Sequence, residues 1–347
     1  MNASTYDGDV GSPRALAAPH PTHKLRLLLK REVWEHKGGF FWAPLVAGAI
    51  SLLLTLMAIV VGEVMARKAL SDGQIDVDGK FQVNGLDLGA ITGRLDADDL
   101  QQLGQGIDLS LIMGASWPYF VLGFVVFFYC LGALYDERKD RSVLFWKSLP
   151  VSDRDTVLSK ALSALVVAPL LATAAALVTM FAFLALISFV VLLHGGNPVT
   201  LLWGPGSPLT VAMHLLGALP IYALWALPTV GWLMLCSAWA RSKPFLWAVM
   251  IPVFSGIFVA WFDIMNVFNL DTTWFWQHIV LRLLASVFPG TWFSASSVDH
   301  VDGPEHIGQL LNASYGTLVS AELWIGAIAG VAMLVAATRL RRWRDDN

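Results

Sequence analysis

The sequence predicts an all-α polytopic membrane protein with six transmembrane helices, and three observations carry that expectation. Hydrophobic residues make up 56% of the 347 and charged residues only 14%, against roughly 45–50% and 25% in ordinary soluble domains. The apolar residues fall into uninterrupted runs of about 20 residues or more, the length a helix needs to cross the hydrocarbon core of a bilayer. Lys and Arg gather on alternate connections between those runs, as cytoplasmic segments require.

The runs extend from Phe40 to Val64, Leu111 to Leu134, Ala161 to Leu193, Val211 to Ala240, Pro244 to Phe268 and Ala321 to Ala337. Pro169 in the third and Pro220 and Pro228 in the fourth are expected to kink or tilt their helices. With the amino terminus inside, only Arg67, Lys68, Lys80, Arg94 and Arg282 of the 23 basic residues fall outside. The expected arrangement is a multi-pass protein of the cell inner (plasma) membrane with both termini cytoplasmic. Residues 1–39 form a cytoplasmic amino-terminal part, 40–338 the six-span domain and 339–347 a basic tail. The first run lies behind a polar stretch and lacks a small-residue cleavage site, so it reads as a retained span. Trp42, Trp203, Trp239, Trp274, Trp276 and Trp324 sit near run ends, where aromatic belts form.

Several function classes are disfavoured. The net charge of -3, with no basic block, does not suggest nucleic acid. Cys130 and Cys236 lie within apolar runs and read as packing residues. Between their ends the spans carry no Lys, Arg, Asp or Glu; Glu63, Asp263, Glu322 and His214 fall near the outer boundary. Ion-coupled carriers need ionisable groups at mid-membrane, so self-powered transport is disfavoured. There is no H-E-x-x-H, no G-x-S-x-G and no phosphate loop, hence no catalytic or metal-ligating set and no enzyme activity expected of the chain itself. The prolines of Gly204-Pro205-Gly206-Ser207-Pro208 remove the amide donors a phosphate cradle uses, leaving an external turn.

The most informative connection runs from Tyr135 to Lys160. It embeds Val143, Leu144, Phe145 and Trp146 between charged flanks; Pro150 ends any helix begun near Arg138, and Ser152 with Asp155 starts the next. An interfacial helix dipping into headgroups and a docking element for a soluble protein both fit these residues. Upstream, Lys24 to Lys37 places Leu25, Leu28, Leu29 and Val33 on one side and Arg26, Lys30 and Lys37 on another, an amphipathic helix expected to hinge at Gly38-Gly39. Its alternative role is an anchor to anionic lipid. Outside, Met65 to Ser110 reads as a long acidic loop. Trp276 to Phe288 forms an amphipathic helix with His278, Arg282 and Ser286 on its polar face, lying flat or dipping inward. Asn312-Ala313-Ser314 fits a glycosylation sequon.

The stretch D-E-R-x-D-R-S-x-L-F-W-K-S-L-P-V-S-D, with Leu158 and Lys160 after it, K-R-E-V-W-E-H-K before the first run and six spans overall, resembles the permease (transmembrane) subunits of the ABC-2 type ABC transporter family, type V exporter-like. That resemblance implies a homodimer of permeases bound to two cytoplasmic ABC ATPase subunits, with ATP and Mg held by those partners and no cofactor in this chain. It assigns the coupling helix to about Arg138 to Leu149, with Phe145, Trp146 and Leu149 docking in the ATPase and Glu137, Arg138, Arg141 and Lys147 flanking them. It makes the amino-terminal helix a connecting helix, with Lys30, Arg31, Glu32 and Trp34 as contacts. A cargo path between two copies of the second and fifth spans would be lined by Ser116, Tyr119, Ser255, Asp263 and Asn266. The expected function is export of an amphipathic, lipid-like, peptide or drug cargo out of a lipid membrane. The alternative is a non-transporting membrane scaffold or sensor that binds a soluble cytoplasmic partner.

Overall fold

A computed structural model describes residues 21–71, 96–140, 152–265, 271–294 and 307–344, and all regular structure among them is helical. Six stretches are long and apolar enough to span a membrane: Gly38–Met65, Asp98–Lys139, Asp153–Leu193, Pro208–Trp239, Pro244–Ile264 and Ala321–Trp343. Each coincides with one of the expected runs, which is the build of a multi-pass membrane protein. Long apolar side chains such as Leu53, Met57, Phe128, Phe258 and Ile328 stand exposed along these helices, as lipid-facing residues do.

The amino-terminal helix α1 (Pro21–Glu35) divides as its pattern predicts, with Leu28 buried and Arg26, Lys30 and Lys37 exposed. The expected hinge is not found. His36 N–H donates to Glu32 O and Phe40 N–H to His36 O, both at 3.0 Å, so the helical path continues through a π-turn, Gly38–Trp42, into α2 (Ala43–Ser71). Phe40 is buried edge-on against Tyr129, ring centroids 4.9 Å apart, and that packing holds the turn that two glycines alone would leave free to bend.

The acidic connection expected outside is shorter than Met65 to Ser110 because helices enter it from both sides. Helix α3 (Ala97–Gly132) starts fourteen residues ahead of Leu111, with Asp98 and Asp99 in its first turn, where carboxylates oppose the positive end of the helix dipole. Asp99 also accepts from the Asp96 N–H at 3.2 Å. A short helix α4 (Tyr135–Lys139) follows. The third span opens with α5 (Asp153–Leu162), whose cap is Ser152, accepting from the Asp155 N–H at 3.1 Å as its sequence predicts. A π-turn, Ser163–Val167, leads into α6 (Ala168–Leu193). Pro169 has no N–H for the preceding turn, which widens there.

The fourth span is two helices in line, α7 (Pro208–Gly217) and α8 (Leu219–Trp239), parted at Ala218 just before Pro220. Helix α9 (Pro244–Ile264) is the fifth span. The amphipathic segment expected on the outside, the outer segment, comprises α10 (Thr272–Phe275), a π-turn Trp276–Leu281 and α11 (Arg282–Ala285). Gly290, at φ 91°, turns the chain in a conformation that favours glycine. Helices α12 (Ile307–Gly316) and α13 (Ala321–Arg344) complete the described chain.

Helices α8 and α13 form the most extensive pairing. A Cβ at Gly231 would lie 2.4 Å from Gly330 O, and one at Gly330 would lie 2.5 Å from the Leu227 backbone. Small residues let the two backbones meet, as they do generally where lipid tails provide no hydrophobic drive. Cys130 and Cys236 are free and buried beside this core, in the packing role their apolar runs suggest.

Candidate functional site

At the end of the molecule that carries α1, five ionisable side chains from four helices converge. Lys160, only 3% exposed, places Nζ 3.0 Å from Glu32 Oε1 and 3.1 Å from Glu137 Oε1. Arg341 donates through NH1 to Glu137 Oε2 at 2.8 Å and through Nε to Asp153 Oδ1 at 3.1 Å. Glu32, 2% exposed, also accepts from the Tyr129 hydroxyl at 2.8 Å. Burying ions this deeply costs several kcal/mol each unless partners and hydrogen bonds replace water. Two cations against three carboxylates, with the Tyr129 hydroxyl on the third, provide that replacement.

The arrangement closes a loop. Glu137 lies in α4, directly after α3, Asp153 is the first residue of α5, and one guanidinium grips both. The helix α1 joins through Glu32 and Lys160. Arg138 is committed next door: its NH2 donates to Ser237 O and, at 3.1 Å, to Ala240 O, satisfying carbonyls at the carboxyl end of α8 where cations are favoured. The Ser237 hydroxyl accepts the Leu134 and Tyr135 N–H groups at 3.1 and 2.9 Å, securing the bend between α3 and α4.

Two of the expected flanking contacts, Glu137 and Arg138, therefore point into the protein. Glu32 does too. Of the other connecting-helix residues, Lys30 is exposed, Arg31 pairs with Glu35 at 3.1 Å, and Trp34 is exposed. Arg141, Phe145, Trp146, Lys147 and Leu149 lie outside the described residues.

The opposite end contains a second polar cluster that a reading of the spans alone misses. The outer segment packs inward on α8, leaving Arg282 6% exposed with its guanidinium 3.2 Å from the Trp225 ring centroid. Trp225 lies six residues inside α8, about 9 Å along the helix axis. Arg282 NH1 donates to Trp225 O at 3.2 Å, and the Thr229 hydroxyl donates to Arg282 O at 2.9 Å. Burial lowers the pKa of Arg282, and Glu322, 3.9 Å from its Nε, opposes that shift. Glu322, at the start of α13, is a charge that a span brings near this level, and the outer segment brings the cation. The segment packs on α8 within the limits of the fourth span.

Beside the inserted segment is a cavity of about 590 Å³, walled by α3, α6, α7, α8, the turn at Gly290 and α12. Ser116 and Tyr119, from the expected cargo path, line it. Ser255 and Asp263 do not: Ser255 donates to Pro252 O at 2.7 Å, and Asp263 accepts from the Thr272 hydroxyl at 2.7 Å, tying α9 to α10. Asn266 lies outside the described residues. The lining hydroxyls are used internally, Ser116 donating to Met113 O at 2.6 Å, Tyr119 to Thr173 Oγ1 at 3.0 Å and Tyr222 to Val287 O at 3.0 Å. Ser314 accepts the Trp292 indole N–H at 3.0 Å and is buried, while Asn312 of the sequon is exposed.

Comparison with family models, curated proteins and solved structures finds no match. Function is therefore argued from the residues themselves. Sequence reasoning missed Lys160, Arg341 and Asp153 as a unit because their partners lie 128, 204 and 188 positions away. The one signal available was Lys160 and Glu32 each interrupting an apolar helix face.

Proposed function

We propose that this chain is the membrane subunit of an ATP-driven exporter, acting as a pair of copies in the plasma membrane with both termini in the cytoplasm. Two separate ABC ATPase subunits bind ATP and Mg, and the segment between Lys139 and Ser152 transmits their motion. The observation that carries this reading is the grip of Arg341 on both ends of that segment, at Glu137 and Asp153. A segment bearing Phe145 and Trp146 on an anchored base suits force transmission, because displacement of the segment must load α4, α5 and α13 together. The link from Lys160 to Glu32 carries the load into α1. An aromatic centre with a charged rim has the composition of an interface hot spot. The cargo is amphipathic, lipid-like, peptide or drug, in keeping with the apolar spans.

The test is isolation in mild detergent after co-expression with any phosphate-loop ATPase that a neighbouring reading frame encodes. Co-purification that is lost in Phe145→Ala/Trp146→Ala, while the membrane-inserted yield stays unchanged, supports the reading. Purification of the chain with no ATPase, or ATPase binding indifferent to that double substitution, overturns it and favours a scaffold.

A further inference from the structure

The cavity beside the outer segment has a chemistry of its own, independent of whether the chain exports anything. Its volume of about 590 Å³ falls in the range of pockets that bury a small ligand. Its lining holds no Asp, Glu, Lys or Arg, so a phosphate, carboxylate or ammonium group entering it would lose water without gaining a counter-charge. Among the described residues that line it, one buried side-chain polar atom has no hydrogen-bond partner: Nε2 of His214. The other ring nitrogen of His214, Nδ1, is 2.6 Å from Thr210 O. A carbonyl can only accept, so Nδ1 carries the proton, and in the tautomer that this fixes Nε2 is the nitrogen with the lone pair.

The approach is also defined. Trp117 and Phe120 line the cavity yet are 43% and 55% exposed, and Met113, one turn before Trp117, is 64% exposed. The mouth thus opens on an apolar face of α3, to be reached through lipid.

We propose that this cavity binds an uncharged lipid bearing one hydroxyl, with its apolar body against the aromatic walls and its hydroxyl donating to His214 Nε2. An unpartnered acceptor in a charge-free apolar chamber selects for a donor and against a charge. Leaving that acceptor unmet costs more than the new hydrogen bond gains in net terms, which favours the alcohol over an isostere without a proton to donate.

The test uses the full chain in phosphatidylcholine nanodiscs with three photoreactive probes of matched chain length: a diazirine-bearing long-chain alcohol, its methyl ether and the corresponding carboxylic acid. The alcohol is expected to label peptides covering 112–122 and 288–293 saturably, the ether to need about fivefold higher concentration, and the acid to label least. This comparison requires no variant. In His214→Phe the alcohol and ether should become equivalent, and Ala218→Trp, which projects bulk into the chamber, should remove saturable labelling. Equal saturation by alcohol and ether in the unaltered chain, preference for the acid, or an alcohol preference that persists in His214→Phe overturns the proposal. So does labelling spread evenly over the lipid-facing side of α2, which would mark annular lipid only.

Discussion

Arg341 holds Glu137 at 2.8 Å across 204 residues of sequence, and its Nε reaches Asp153 at 3.1 Å. A side chain near the end of the sixth span thus fixes both boundaries of the connection between the second and third. Removing one member of a buried, hydrogen-bonded ion pair typically costs about 3–5 kcal/mol, whereas replacing both members by apolar groups is often close to neutral. Arg341→Met should therefore lower the thermal unfolding midpoint in detergent markedly, and Arg341→Met/Glu137→Met should recover part of the loss, the remainder reflecting Lys160 and Asp153, each left one partner short. Simple additivity of the two single substitutions would show that the pair is not coupled.

The Glu32 carboxylate gives a second, finer test. Tyr129→Phe removes one hydrogen bond to a buried charge and is expected to cost about 1.5–3 kcal/mol. Arg31→Ala breaks a solvent-accessible pair with Glu35 on the same helix, a loss expected to matter by less than about 0.5 kcal/mol. Thermal unfolding of the two variants should separate clearly. Similar midpoints would contradict the burial of Glu32.

The contact of α8 with α13 depends on the absence of two side chains. Gly330→Val forces a Cβ into the Leu227 backbone and should reduce the yield of monodisperse protein several-fold on size exclusion. Gly62, on α2, has nothing within 4 Å of the position a Cβ would take. There Gly62→Ala should be neutral or stabilising by up to about 1 kcal/mol through lost backbone entropy. A comparable loss of yield at both positions would argue against close approach of these helices.

Arg282 has few hydrogen bonds for a buried cation: Nε and NH2 lack partners, and Glu322 stays at 3.9 Å. A guanidinium so placed contributes little net stability once its desolvation is counted, although its stacking on Trp225 adds about 2 kcal/mol of cation–π attraction. Arg282→Met should leave the unfolding midpoint within a few degrees of the parent. Trp225→Leu, which strips the ring from beneath the charge, should lower it substantially. The reverse order would mean that the guanidinium, and not the indole, holds the outer segment in place.

The six spans were legible in the sequence because each is written locally, as an apolar run of sufficient length. The capping role of Ser152 was legible for the same reason, its partner lying three residues on. Glu137, Arg138 and Glu32 read as surface contacts because nothing nearby in sequence could pair with them; their partners are Arg341, the backbone of Ser237 and Ala240, and Lys160. Gly38-Gly39 reads as a hinge on propensity, and tertiary packing of Phe40 on Tyr129 overrides it. Arg282 counted correctly as a residue outside the spans, but no count of charges could reveal that its segment folds back among them.

The grip of Arg341 also imposes an order on biogenesis. Asp153 leaves the ribosome 188 residues before the arginine that will hold it, an interval of about 10–40 s at ordinary synthesis rates. Throughout that interval the first three spans can enter the bilayer, but Glu137 and Asp153 have no guanidinium between them. The base of the connection is complete only after the sixth span arrives, so the arginine serves as a completion mark: a chain stalled or cut short before it would leave Glu137 and Asp153 without the guanidinium that ties them.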